Sequence, residues 1–476
     1  MRMSINGISI RCVCKLEVFT VTASVLRPKS AWLSELPGLL RLALPLVLGL
    51  SAAELISLTD TVLLASLGTL VLACVSLTAS AGLIFHAGLY GMLATLSVRA
   101  GLAFGADDPG AVARTLRAGL GYGLLVGVLG CLAMLASLPV LQWLGVPLPD
   151  AALLTPYWQA MAVFLIPYCL AVVFKDVLEA IGRPWVAVLL VMSAVLFNIP
   201  LSYGLIHGHF GLPALGLVGA GIAGVIAESL AVLLALAYWR LAPSLARYRQ
   251  AARGQPLHWR TLLGEGWPLG LGYLAEAGAV VIAAWMLGWL GNAALAANQV
   301  VQSIGALLYM LPLGMAAAVS IRISQAHGRG EQARVRAIGS ATFISVTAWM
   351  VVATVLLAVF GRRIAEAMSD DPQVIAIAVP MFVVVAAMQV ADGLQSTALG
   401  ALRGLQDYRW PVGVTMVSYW LLALPLSYWL AFHSALGAVG VWVGFACGLA
   451  VAALLLPWRF YWLQARPAGQ ALVQAS

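Results

Sequence analysis

Twelve apolar stretches dominate this chain, each long enough to cross a bilayer, which takes about 20 residues. They fall at roughly 38–66, 69–103, 110–142, 153–180, 184–206, 213–239, 259–289, 293–327, 332–361, 373–403, 409–432 and 436–463. Charged residues make up 9% of the sequence and hydrophobic ones 62%, with a mean hydropathy of +0.97. A soluble domain carries roughly 25% charged residues and could not cover itself with so few. The expected fold is an all-α integral membrane protein with 12 transmembrane helices. Pro45, Pro167, Pro200, Pro268, Pro312, Pro380 and Pro425 lie inside these stretches. Membrane helices tolerate such residues because neighbouring helices satisfy the freed backbone groups.

An even number of spans places both termini on one side, and the basic residues identify it. Arg27 and Lys29 precede span 1, Arg114 and Arg117 follow span 2, and Arg183 follows span 4. Arg240, Arg247, Arg249, Arg253 and Arg260 lie between spans 6 and 7. Arg329, Arg334, Arg336, Arg409 and Arg466 continue the series. Of the 26 Lys and Arg, only Arg362 and Arg363 fall on the other side. The positive-inside rule makes the basic side cytoplasmic, with both termini inside. The net charge of +8 is thus a topology signal. Nucleic-acid binding would need a soluble basic face, which this pattern does not offer.

The two halves repeat one another. "SVRAGLAFG" at 97–105 matches "SIRISQAHG" at 320–328, pairing Ser97 with Ser320, Arg99 with Arg322 and Gly105 with Gly328 at a shift of 223. "LPL" at 44–46 and "WPL" at 267–269 share that shift. "PLSY" recurs at 200–203 and 425–428, and "LGLVG" at 215–219 is echoed by "LGAVG" at 436–440. Agreement in order and spacing across six spans marks a duplication. With six spans each, the halves keep one orientation and are related by an axis along the membrane normal. The expected division is a poorly ordered extension at 1–30, a six-helix bundle at 31–240, a basic linker at 241–258, a second bundle at 259–465 and a tail at 466–476. The extension does not read as a signal peptide, since charges interrupt each apolar run.

Few acids lie deep within the spans: Glu54 and Asp60 in span 1, Glu228 in span 6, Glu276 in span 7 and Asp392 in span 10. A buried carboxylate tends to take up a proton or hold a cation, and either couples ion movement to conformation. Helical spacing groups Gln389, Asp392, Gln395 and Ser396 in one polar stripe. Asn298, Gln299 and Gln302 do the same in span 8, with Tyr309 two turns on, and Tyr273 lies one turn before Glu276. Convergence of three spans on one cavity is the economical reading. The competing reading makes the amides interhelical hydrogen-bonding groups. Glu54 points elsewhere around its helix than Asp60. Glu228 sits among Ala, Gly and Leu without a polar companion, which suits a structural or cytoplasm-facing role.

Lys175, Asp176, Glu179 and Arg183 cluster at the end of span 4, and Arg403 with Asp407 holds the comparable place after span 10. These are expected to be gate or loop-anchoring ion pairs. Cys12-Val-Cys14 and His207-Gly-His209 lack further ligands at metal spacing. No phosphate-binding loop, zinc motif or Ser-His-Asp pattern points to an enzyme or to a cofactor.

"LPLGMAAAVSIRISQAHGRGE" (311–331), "DGLQSTALGALRGLQDYRWP" (392–411), "FNIPLSYGLIHGHFGLPALGLVGAGIA" (197–223) and "TDTVLLASLG" (59–68) together resemble the multidrug and toxin extrusion (MATE) transporters, in their bacterial NorM-type branch. The similarity covers 31–465. The resemblance implies two six-helix bundles forming a V, and export of organic cations against an inward flow of protons or sodium ions. By motif position, Glu276 and Asp392 look like the family's second-half cation site, which would take H+ or Na+. Asp60 looks like its first-half coupling aspartate, with Asn198 nearby. Met388 stands where relatives often have Tyr, and Ala297-Asn298-Gln299 where they have Ala-His-Gln. The loss of the Tyr oxygen weighs against sodium coordination more than against proton coupling.

The combined expectation is a monomeric antiporter of the cytoplasmic membrane, exporting lipophilic cations by alternating access. Its cavity would draw on Asn198, Tyr273, Asn298, Gln299, Gln302, Met388, Gln389 and Gln395. The alternative is a flippase or exporter of a lipid-linked or polar metabolite on the same fold. Such a protein would be expected to carry basic residues in the cavity, whereas the mid-span charges here are acidic.

Overall fold

A computed structural model describes residues 31–143, 150–251 and 259–465, without the side chains of 31, 52–58, 61 and 65. The extension at 1–30, the 252–258 part of the linker, the tail at 466–476 and the Glu54 side chain lie outside the described residues. Twelve helices are long and apolar enough to span a membrane. They are α1 (Ala31–Ala65), α2 (Thr69–Gly105), α3 (Pro109–Trp143), α4 (Ala151–Ala180), α5 (Pro184–His207) and α6 (Leu217–Leu241). The second half contains α7 (Trp259–Trp289), α8 (Asn292–Gly328), α9 (Gln332–Met368), α10 (Pro372–Gly404), α11 (Arg409–Phe432) and α12 (Ala438–Ala465). Among the described residues there is no strand.

Local chemistry sets several boundaries. Pro184 and Pro372 sit at helix starts, where a missing N–H costs nothing. Asp150 and Asp371 cap α4 and α10 by accepting from Ala152 and Gln373. The described part of the linker contains a short helix, Ala246–Gln250. From it, Arg249 donates to the carbonyls of Trp239 and Ala242 at 2.7 and 2.8 Å, satisfying the end of α6.

The halves meet closely at the basic end, and this joint obeys the duplication. α2 crosses α8 so closely that a Cβ on Gly105 would strike the Gln325 carbonyl, and one on Gly328 the Leu102 carbonyl. Leu102 and Gln325 are themselves repeat partners, so the motif shared by 97–105 and 320–328 packs against its own copy. Small residues permit this approach of backbones. Arg99 of α2 grips Glu265 of α7 through two nitrogens, one of them at 2.6 Å. Its repeat partner Arg322 of α8 pairs with Glu35 of α1, which also accepts from Arg334 at 2.8 Å. Both links tie one half to the other. The apolar packing crosses in the same way: Leu39 of α1 lies in a second-half core, while its repeat partner Leu262 of α7 lies in the first-half core. The basic-end segment of α1 thus packs on the second half, although it belongs to the first in sequence.

Candidate functional site

The second-half acids sit on facing helices. α7 carries Glu276, α10 carries Asp392, and both are half-buried. α11 is not a regular helix; residues Val417–Ala423 form a π-helical stretch just before Pro425. Proline removes one backbone donor, and a widened turn is one way a helix absorbs that loss. The stretch is keyed to α7 by Trp420, whose Nε1 donates to the Ala275 carbonyl at 3.1 Å. This places the Tyr419 hydroxyl close enough to Glu276 to interact with it. The same hydroxyl accepts from Gln395 Nε2 at 3.0 Å, leaving its proton for the carboxylate. Tyr309 of α8 reaches Asp392 and Ser396, and the two acids are near enough to interact.

Among the described residues, no Lys or Arg lies within ion-pair distance of either acid. The buried side-chain carbonyl oxygens of Gln389 and Gln395 have no donor. The pocket therefore offers acceptors and lacks positive charge, an arrangement suited to a proton or a cation.

Other expected residues divide. Gln302 and Gln389 meet at Gly305, whose carbonyl accepts from Gln389 at 3.2 Å. Asn298 is instead buried against α12, accepting from Trp442 Nε1 at 3.1 Å, and acts as an interhelical tie. Gln299, on the adjoining face, is exposed. Met388 packs into the second-half core rather than lining a cavity. The phenols beside the two acids are those of Tyr309 and Tyr419. Tyr273 lies at the junction of the halves, accepting from Arg403 at 3.0 Å and meeting Tyr90 edge-on at 5.6 Å.

In the first half, Ser202 of α5 donates to Asp60 of α1 at 3.0 Å and lies 3.4 Å from Asn198 Oδ1. The sequence paired Asp60 with Asn198 but passed over Ser202, although "PLSY" was one of the repeated motifs. Lys175 pairs with Asp176 and Glu179 at 3.2 and 3.4 Å. Arg183 joins Tyr238 rather than this cluster. Arg403 and Asp407 part company: Asp407 pairs with Arg459 at 2.9 Å, while Arg403 contacts Tyr273 and Ser320. His207 contacts Ser66, and no group of three metal-ligating side chains occurs among the described residues.

The MatE family model matches residues 45–204 and 268–429, two blocks spaced like the repeated motifs. A probable multidrug resistance protein NorM of Bradyrhizobium diazoefficiens is 33% identical over 451 residues, spanning 93% of this chain and 96% of that protein. Its counterpart in Rhizobium meliloti is 31% identical over 450 residues, spanning 92% and 95%. Among solved structures, the eukaryotic MATE transporter AtDTX14 superposes with a TM-score of 0.81 at 19% identity, covering 90% of this chain and 96% of that one. The Vibrio cholerae MATE transporter VcmN in its bent form gives 0.79 at 21%, covering 91% and 98%. The two superpositions carry the fold, and the family match and the sequence relatives carry the kinship: this chain is a multi-pass membrane protein of the MatE family of transporters.

Proposed function

We propose that the protein is a secondary active antiporter that exports lipophilic organic cations in exchange for protons or sodium ions. The observation that carries this reading is the Glu276–Asp392 pocket: two intramembrane acids bordered by phenols and amide oxygens, with no cationic side chain among the described residues to balance them. Such a pocket favours an organic cation, a proton or a sodium ion over an anionic cargo. The basic end is cytoplasmic, both termini lie inside, and the membrane is the cytoplasmic one. A monomer suffices, since each chain has both halves of the V. Ion binding to the acids shifts the balance between inward- and outward-facing states by differential affinity. The relatives' multidrug resistance names support export of drugs in particular.

The test uses proteoliposomes loaded with ethidium, with a pH gradient or a sodium gradient imposed alone. Movement of ethidium driven by at least one gradient, and blocked in Asp392→Asn, is the expected result. No response to either gradient by the wild type refutes the antiport reading.

A further inference from the structure

The repeat relates the second-half pocket to a place in the first half that no step above uses. At the shift of 223, Tyr309 corresponds to His86 of α2, and Asp392 to Cys169 of α4. His86 packs edge-on against Tyr168, the neighbour of Cys169, at 4.8 Å, and against Phe164 at 5.9 Å. Phe164 and Tyr168 stack on one another at 6.1 Å, forming a continuous aromatic face along α4. All three rings are half-buried.

An acid faces this surface. α4 and α6 run in the same direction, and their register is set by glycines. A Cβ on Gly221 would meet Ala160 and Tyr157, and one on Gly224 would come 3.6 Å from Phe164 and 3.9 Å from Asn198 Nδ2. One turn further on, Glu228 comes level with Tyr168, close enough to interact with it electrostatically. The exposed Ile226 and Leu233 lie on the far side of α6, so the carboxylate points inward. Among the described residues it has no ion-pair or hydrogen-bond partner. The nearby cation Lys175 is already held by Asp176 and Glu179. An acid kept in this setting without a partner is a functional group by default.

We propose that Glu228, with the rings of His86, Phe164 and Tyr168, forms a second organic-cation subsite in the first half, suited to a cation with a flat aromatic ring. The carboxylate supplies charge and the ring faces supply cation–π and stacking contact. A side chain larger than glycine at 224 would press on Phe164 and Asn198, so Gly224 keeps the ring face of Phe164 clear. This deepens the transport reading above and rests on it.

Equilibrium dialysis of ethidium against the purified full chain in detergent tests the subsite. Glu228→Gln should lower the number of bound ethidium molecules per chain by one, with the affinity of the remaining site changed less than about twofold. Gly224→Val, which sets a branched side chain against Phe164 and Asn198 without altering charge, should lose the same site and serves if the glutamine variant does not fold. Unchanged stoichiometry and affinity in either folded variant overturns the subsite while leaving the Asp392-dependent site intact. Absence of ethidium binding by the wild type overturns the transport reading and the subsite together.

Discussion

Removing the crossed ion pairs at the basic end should release the V. The perturbation is the double variant Glu35→Gln/Glu265→Gln, which keeps shape and takes away charge. Arg99 and Glu265 are 21% and 22% exposed, and Glu35, shared by Arg322 and Arg334, is 11% exposed. A fully buried pair costs about 3–5 kcal/mol to break, and a fully exposed one contributes about 0–1. At these exposures each site falls between those limits, at about 1–2 kcal/mol. If both pairs exist only while the basic end is closed, the two losses shift the equilibrium toward the open state by about 2–4 kcal/mol. Since 1.4 kcal/mol is a factor of ten, that is about 30- to 700-fold. Spin labels at Ala106→Cys and Arg329→Cys, both exposed at the ends of α2 and α8, report the separation of the halves in a cysteine-free background. The double variant should gain a population at longer distance, and the charge swap Arg99→Glu/Glu265→Arg in the Glu35→Gln background should restore part of the short one. An unchanged distance distribution in a folded double variant would refute the idea that these pairs hold one state of the cycle.

Other outcomes follow from the pockets. Asp392→Asn should reduce ethidium efflux at least tenfold with normal expression, read as loss of the resistance that the wild type confers on a sensitive host. Tyr419→Phe should slow gradient-driven transport in vesicles about tenfold, because a hydrogen bond to a charged group is worth about 1.5–3 kcal/mol. The same change at a phenol with no part in the site would leave the rate within about twofold. Asp60→Asn should abolish proton-driven transport while ethidium binding persists in dialysis, and loss of both would place Asp60 in the cargo site instead.

The span pattern and the repeat were legible because each leaves a one-dimensional mark, a run of apolar residues and a fixed shift; intramembrane acids stand out in the same way, as charges in the wrong solvent. What escaped depends on contact between distant segments. Tyr419 looked like one of many aromatic residues until the π-helical stretch before Pro425 turned it toward Glu276. Asn298 and Gln302 differ by four residues and seemed to share a face, yet Asn298 is taken by Trp442 and Gln302 reaches Gln389's neighbourhood. Met388 has the spacing of a cavity residue and the packing of a core one. Helical periodicity narrows the direction of a side chain but does not say which neighbour occupies it.

The repeat residues also show where symmetry was kept and where it was lost. Gly105 and Gly328, Leu102 and Gln325, Arg99 and Arg322, and Leu39 and Leu262 are equivalent in sequence, and each pair makes equivalent contacts at the basic end. The carboxylates are not equivalent: Asp392 stands opposite Cys169, a fully buried core residue, and Asp60 has only Ala283 as its counterpart. Even the acids of the joint follow this division. Glu35 and Glu265 are not repeat partners, since Glu265 lies two helical turns beyond the position that corresponds to Glu35. Residues seven apart fall on nearly the same helical face, so either placement lets a carboxylate meet its arginine. A joint built from self-complementary surfaces gives two like bundles matched contacts on both sides of one axis. The bundles can then hold different ligands, because nothing in the joint requires their interiors to agree.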